Sequence, residues 1–187
     1  MNWNEAGQIN TENTVKLAAK KAKELGIKYI VVASNTGATV EKLLENDVTG
    51  INIVDVTHHV GFRAPGESEM SLDASISLKQ KGVQVFTGTH IFAGAERGVR
   101  NQFGGVYPAE IMAQTLRMFG QGVKVAVEVS VMALDAGLIP FGEDIIAIGG
   151  SSRGADAAII IRPAHSNQIF DTEIAEIITM PRKKKKA

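Results

Sequence analysis

Apolar residues along the chain alternate between two rhythms. Tyr29-Ile30-Val31-Val32-Ala33 is a short continuous apolar run, the pattern of a strand buried on both faces. Ahead of it Val15, Ala18, Ala22 and Leu25 recur at helical spacing. Asn10 or Thr11 offers a cap there, Glu12 sits in the first turn, and Gly26 ends the helix. Behind the run, Ser34-Asn35-Thr36-Gly37-Ala38-Thr39 is small and polar, and Val40, Leu43 and Leu44 then start a second helical pattern. The same alternation predicts strands at 28–33, 51–56, 83–87, 144–148 and 157–161, with a helix opening at Pro108.

Two stretches carry both rhythms. Leu72, Ala74, Ile76 and Leu78 alternate as in a strand, but the polar start at Ser71 and Asp73 and the ending at Gly82 predict a helix over 71–81. Valines at 123, 125, 127, 129 and 131 also alternate. Ala-Leu-Asp-Ala-Gly137, with Pro140 beyond, reads as a helix end, so 123–136 is predicted helical. Residues 172–180 fit either a helix or an edge strand.

Strand–helix alternation predicts an α/β fold, a three-layer α/β/α arrangement around a mostly parallel sheet. The Gly/Ser stretch 149–156 is too short for a crossover, so the last strand is expected to be antiparallel. No linker or repeat divides the chain. Residues 1–181 read as one domain, and 182–187 as a basic, disordered tail. Ligands of such sheets lie beyond the carboxyl ends of the strands, where loops 34–39, 57–70, 88–106 and 149–156 gather. Two of these are long, which favours a functional role.

Composition narrows the classes. Cysteine is absent, which removes disulfides, thiolate metal sites and cysteine nucleophiles. Five of the 20 basic residues stand in Arg182–Lys186, leaving 15 basic against 20 acidic residues, a body balance of −5. An acidic body argues against nucleic-acid binding. No apolar run approaches the ~20 residues of a membrane span, and the N-terminus lacks the basic start and apolar core of a signal peptide. A cytoplasmic protein is expected, and a homo-oligomer is compatible with the sequence.

The 34–39 loop carries the clearest chemistry. A strand that feeds a Ser/Thr/Gly loop opening a helix leaves backbone N–H groups and hydroxyls facing outward, an arrangement that favours a phosphate. Plain capping by Ser34 or Thr36 is the structural alternative. Gly150-Ser151-Ser152-Arg153-Gly154 has the spacing of a nucleophile elbow, but a strand follows where that motif needs a helix. A Gly/Ser turn whose amides and Arg153 face a ligand suits it better, beside an ordinary hairpin turn. It lacks the Lys-Ser/Thr of a P-loop. His58 and His59 are neighbours on extended backbone and point oppositely, so no metal site is expected. His90 leaves a parallel strand end and is the candidate acid or base, although spacing identifies no carboxylate partner for it. Arg97 and Arg100 could grip a phosphate or solvate a long loop, the second being favoured.

Ser34-x-Thr36-Gly37-x-Thr39 after an Ile-Val-Val strand resembles the segment of the pyruvate kinase C-terminal domain that holds a phosphate of its sugar-bisphosphate activator. The chain is still more similar to a largely archaeal family of stand-alone proteins with this fold alone. That similarity rests on Asn10-Thr11-Glu12-Asn13-Thr14, on Val56-Thr57-His58-His59-Val60-Gly61-Phe62-Arg63, and on Thr87-Gly88-Thr89-His90. It continues through Gly104-Gly105-Val106-Tyr107-Pro108-Ala109-Glu110, the segment 116–125 and Gly149-Gly150-Ser151-Ser152-Arg153-Gly154-Ala155-Asp156. The resemblance implies the fold, and flavin mononucleotide (FMN) as an occupant of the site. Pyruvate kinase activity is not implied, because 187 residues do not hold that enzyme's catalytic barrel. The expected cofactor-binding residues are Ser34, Asn35, Thr36, Gly37, Ala38, Thr39, Thr87, Gly88, His90, Gly149, Gly150, Ser151, Ser152, Arg153 and Gly154, with Phe62 and Ile91 nearby. A flavin-dependent redox protein is the first expectation. A non-catalytic sensor of a phosphorylated metabolite is the second.

Overall fold

In the computed structural model, residues 2–183 are described; Met1 and residues 184–187 lie outside them, and with them most of the expected tail. In chain order the elements are β1 (Trp3–Glu5), α1 (Thr11–Leu25), β2 (Tyr29–Ala33), α2 (Ala38–Leu44), β3 (Asn52–Thr57), α3 (Leu72–Gln80), β4 (Gln84–Thr87) and α4 (Gly94–Phe103). There follow α5 (Pro108–Leu116), α6 (Gln121–Asp135), β5 (Ile145–Gly149), β6 (Ala157–Arg162), β7 (Glu173–Thr179) and β8 (Pro181–Lys183).

The central sheet has the order β4-β3-β2-β5-β6-β7. β2 pairs in parallel with β3 and β5, and β3 with β4. β6 is antiparallel to both β5 and β7, so it alone runs against the rest. The α/β fold, the parallel strands and the reversed strand after the short turn are those expected. Residues 172–180 resolve as the edge strand β7.

Each face of the sheet has its own core. Val15 and Ala18 of α1, Val40 and Leu43 of α2, and Leu78 of α3 pack on Ile30, Val32, Ile53 and Ile148. On the opposite face Val123, Ala126 and Val127 of α6 pack on Val31, Val54, Ile145 and Ala147. α6 is buried around almost its whole circumference, which explains its strand-like valines: a helix apolar on every side no longer shows a helical period. Its close seat on β5 depends on glycine. A Cβ at Gly149 would lie 2.2 Å from the Gly122 carbonyl oxygen and 2.8 Å from the Ala126 nitrogen.

Several expectations need correction. The stretch 88–106 is not all loop, since it holds α4, none of whose residues is buried. Its Gly94 and Gly98 and scarce apolar residues hid the helix. Leu25 is 56% exposed and does not belong to the buried face of α1. Arg182 and Lys183 are not tail residues, because β8 pairs in parallel with β1.

Candidate functional site

The carboxyl ends of β2, β3, β4 and β5 open into a cleft of about 940 Å³. Loop 34–39 leads into α2 on one face of the sheet, and α4 and α6 border the cleft on the other. The cleft therefore has two banks.

The first bank is built mainly from contiguous backbone. Ser34, Asn35, Thr36, Ala38 and Thr39 line it, joined by Lys42, Gly150, Ser152, Arg153 and Gly154. Ser34 Oγ accepts the Thr39 N–H at 3.2 Å, so capping occupies part of the loop. The N–H groups of residues 35–38 make no hydrogen bond among the described residues, and Thr36 caps nothing. Gly37 stands behind the loop with φ 85°, and a Cβ there would lie 2.9 Å from Leu78 Cδ1. Its part is to shape the turn. The 150–154 turn is wedged tightly beside it, since a Cβ at Gly154 would meet Thr11 Oγ1 at 2.2 Å. Thr11 Oγ1 accepts the Ala155 N–H at 3.0 Å and locks the turn to the start of α1. Ser152 adopts φ 84°, the only positive φ at a non-glycine among the described residues, and a strained conformation at a site edge.

Among the remaining expected residues, Thr87, Gly88, Gly149 and Ser151 do not line the cleft. Thr87 Oγ1 is within 2.6 Å of Thr57 Oγ1, tying β4 to β3. Gly88 has no room for a Cβ against the Phe86 ring, Gly149 packs under α6, and Ser151 is buried. These four support the site from behind.

The second bank gathers residues far apart in sequence. His58 Nδ1 lies 2.5 Å from Glu69 Oε2, and Arg63 Nε holds the other Glu69 oxygen at 3.0 Å. The Phe62 ring stacks on His58 with centroids 3.7 Å apart. His90 stands 5.3 Å from His58 and 5.4 Å from His59, ring to ring. Burial pushes the His90 imidazole below its ordinary pKa, against an opposing pull from Glu128. Among the described residues no hydrogen bond engages either His90 ring nitrogen. Lys124 and Glu128, one turn apart on α6, form a buried ion pair, and Glu128 Oε1 also accepts the Phe92 N–H at 3.0 Å. Burial holds the Lys124 ammonium below its usual pKa, and the positive Arg117 and Arg97 act in the same direction.

Arg100 pairs with Glu110 outside the cleft, whereas Arg97 lines it. Among the described residues Arg97, Arg117 and Arg153 line the cleft without a carboxylate partner, while Arg63 and Arg100 each have one and Arg162 has two. Sequence reasoning missed Lys42, Glu69, Arg117, Lys124 and Glu128. The one available signal was Lys124 and Glu128 at i, i+4, which by itself reads as a surface pair. No group of three or more His, Cys, Asp or Glu residues placed for a metal ion occurs among the described residues.

Chemically the first bank suits an anion and the second suits a polarisable ring or a proton-exchanging group. Comparison with known proteins finds one family model in agreement, "Pyruvate kinase, alpha/beta domain", over residues 12–161. Solved structures similar to the chain include a pyruvate kinase from Cryptosporidium parvum, at 17% identity over 81% of this chain and 22% of that one, with TM-score 0.45. Another is the Cryptosporidium parvum pyruvate kinase in complex with ADP, at 16% identity over 80% of this chain and 22% of that one, with TM-score 0.41. The chain spans about a fifth of the length of those enzymes.

Proposed function

The chain belongs to the pyruvate kinase α/β-domain family, and from that premise we propose that its cleft binds a phosphorylated small molecule, with FMN as the ligand. One observation carries the reading. The N–H groups of residues 35–38 and Arg153, which have no partner among the described residues, line a single bank of the cleft with the Thr36 hydroxyl. Charge-assisted bonds from such donors to phosphate are the strong kind, each contributing about 1.5–3 kcal/mol.

The residues present fit the flavin. A cleft of about 940 Å³ is at the upper end of small-molecule sites. The stacked Phe62 and His58 rings offer a flat wall, and Val125, Val129 and Met132 add apolar surface. Bound flavin would supply hydride or single-electron transfer, while the protein supplies orientation and charge. Lys124 and Arg97 would set the charge around the ring, and α6 would limit the access of water.

A second reading, binding of a phosphorylated metabolite without catalysis, is favoured by the ion-paired polar side chains in the cleft. Lys42 pairs with Glu12 at 3.4 Å and Arg63 with Glu69 at 3.0 Å, an environment suited to hydroxyl-rich ligands. The absorbance spectrum of fresh protein separates the two. A band near ~450 nm that bleaches on reduction is expected for the flavin reading. Colourless protein whose melting temperature ignores added FMN but rises with sugar phosphates would leave only the second. Indifference to every phosphorylated compound would sink both.

A further inference from the structure

We propose that His58 and His90 form an acid–base pair that enolises a phosphorylated aldose held in the cleft, interconverting it with the ketose. This rests on the phosphate anchor of the preceding reading and not on the flavin.

His58 has the geometry of a proton donor. Glu69 engages its Nδ1 at 2.5 Å and is itself held by Arg63, while the Phe62 ring fixes the imidazole plane. The carboxylate on Nδ1 orients the ring at the cleft wall, so Nε2 is the nitrogen left for a substrate. His90 is the complementary base. It is half-buried, neither ring nitrogen has a hydrogen-bond partner among the described residues, and burial favours its neutral form. The two rings stand 5.3 Å apart on the same wall of the cleft, close enough to act on neighbouring atoms of one substrate. Lys124 adds a cation on the same bank, able to polarise a carbonyl oxygen.

Position identifies the substrate class. His58 follows β3 and His90 follows β4, one and two strands from the 34–39 loop after β2. At ~4.8 Å per strand the gap is about 5–10 Å. An extended five-carbon phosphate, at about 1.5 Å per bond, covers it. The phosphorylated five-carbon chain of FMN has the same length, so the C1 carbonyl of a pentose 5-phosphate falls where a flavin ring would begin.

The step is balanced without a co-reactant. His90 takes the proton from C2, and the C–H electron pair forms the C1–C2 double bond. The carbonyl oxygen takes a proton from His58 Nε2, giving the enediol. Return of the O2 proton to His58 and delivery of a proton from His90 to C1 completes the ketose and restores both histidines.

The test is proton NMR of ribose 5-phosphate with the purified protein in D2O, with thermal melts alongside. Loss of the C2–H signal and appearance of ribulose 5-phosphate are expected, at least 100-fold faster than with His58→Gln or His90→Gln. Both variants should keep the melting rise given by ribose 5-phosphate, which shows that they fold and bind. Saturating FMN should suppress the exchange. Wild-type exchange no faster than that of the double variant, despite a retained melting rise, overturns the acid–base assignment alone. Exchange that persists while FMN is bound overturns its location. No melting rise in the wild type removes the phosphate anchor, and this inference with it.

Discussion

The two banks of the cleft are built on different principles. The 34–39 bank consists mainly of consecutive residues whose backbone does the work, set by a strand end and a short helix. The opposite bank takes His58 and Glu69 from one long loop, His90 from another, and Lys124 and Glu128 from a buried helix. The first keeps the N–H groups of residues 35–38 free of hydrogen bonds among the described residues. The second spends most of its charges on one another, in the His58–Glu69–Arg63 and Lys124–Glu128 groups. Backbone donors are held in place by the fold, but long side chains lose rotamer freedom when they are ordered and need partners to stay in one geometry.

The largest expected effect lies on β3, the strand between the banks. Asp55 is fully buried on the α1–α3 face, neither carboxylate oxygen has a well-formed hydrogen bond among the described residues, and burial pushes its pKa up to about 8 against a smaller opposing pull from the Ser34 backbone. The unfolded chain releases this proton near the ordinary aspartate value of 3.8 and the folded chain at about 8. Between those values the folded state binds more protons, so stability falls by about 1.4 kcal/mol per pH unit as pH rises and levels off above the folded value. Asp55→Asn should flatten the profile and be several kcal/mol more stable than the wild type at pH ~8. Urea unfolding of both proteins across this range is the check, and parallel profiles would refute it.

Joining the banks is Gly149, where β5 touches α6. Gly149→Ala would drive a methyl group into the Gly122 carbonyl and the Ala126 nitrogen, which are backbone atoms that cannot swing aside. A loss of about 3 kcal/mol is expected, read from the denaturant midpoint. A loss below ~1 kcal/mol would show that α6 moves freely over the sheet, and that the banks are not rigidly coupled.

Arg153→Ala tests the first bank alone. It is exposed and has no ion-pair partner among the described residues, so stability should barely change, while affinity for a phosphorylated ligand should drop by about 1.5–3 kcal/mol. Thr36→Ala should cost less, about 1 kcal/mol, because its hydroxyl is neutral. Calorimetric titration with FMN or a sugar phosphate measures both, and unchanged affinities would move the anion off this bank.

The smallest effect tests the second bank. His90 has a depressed pKa in the fold, so its stabilising contribution is present above the ordinary histidine value of 6.5 and is lost as pH falls from there towards its folded pKa. His90→Gln should therefore lose less stability than the wild type on acidification from pH ~7 to ~5. NMR titration of the His90 ring should show a midpoint below that of an exposed histidine. A normal midpoint would mean that the ring is solvated and the bank open.

Most of the sheet was legible because its strands are short apolar runs bounded by glycine and polar residues. Tyr29–Ala33 and Ile145–Gly149 could hardly be anything else. The 34–39 loop was legible for a related reason: its chemistry is local, so adjacent letters describe adjacent atoms. α4 was not legible. Nothing in it is buried, and although Ala95, Val99 and Phe103 recur at helical spacing, Gly94 and Gly98 interrupt them and made the stretch read as a loop. Glu69 and Glu128 were equally hidden, since a carboxylate becomes a partner only when the fold sets it beside a histidine or a lysine.

The sequence by itself determined the α/β class, the parallel strands, the reversed β6 and the position of the 34–39 loop at a strand end. Each follows from short-range hydrophobic period and turn chemistry, which act within a few residues. Only the tertiary structure decided that Arg97 faces the cleft while Arg100 pairs away from it, and that Gly37 and Gly149 shape the site instead of lining it. It alone placed Glu69 on His58 and left the His90 ring nitrogens without a hydrogen bond among the described residues. Burial and pairing depend on which distant segments pack together, and that packing sets the local dielectric on which the charge of each side chain depends.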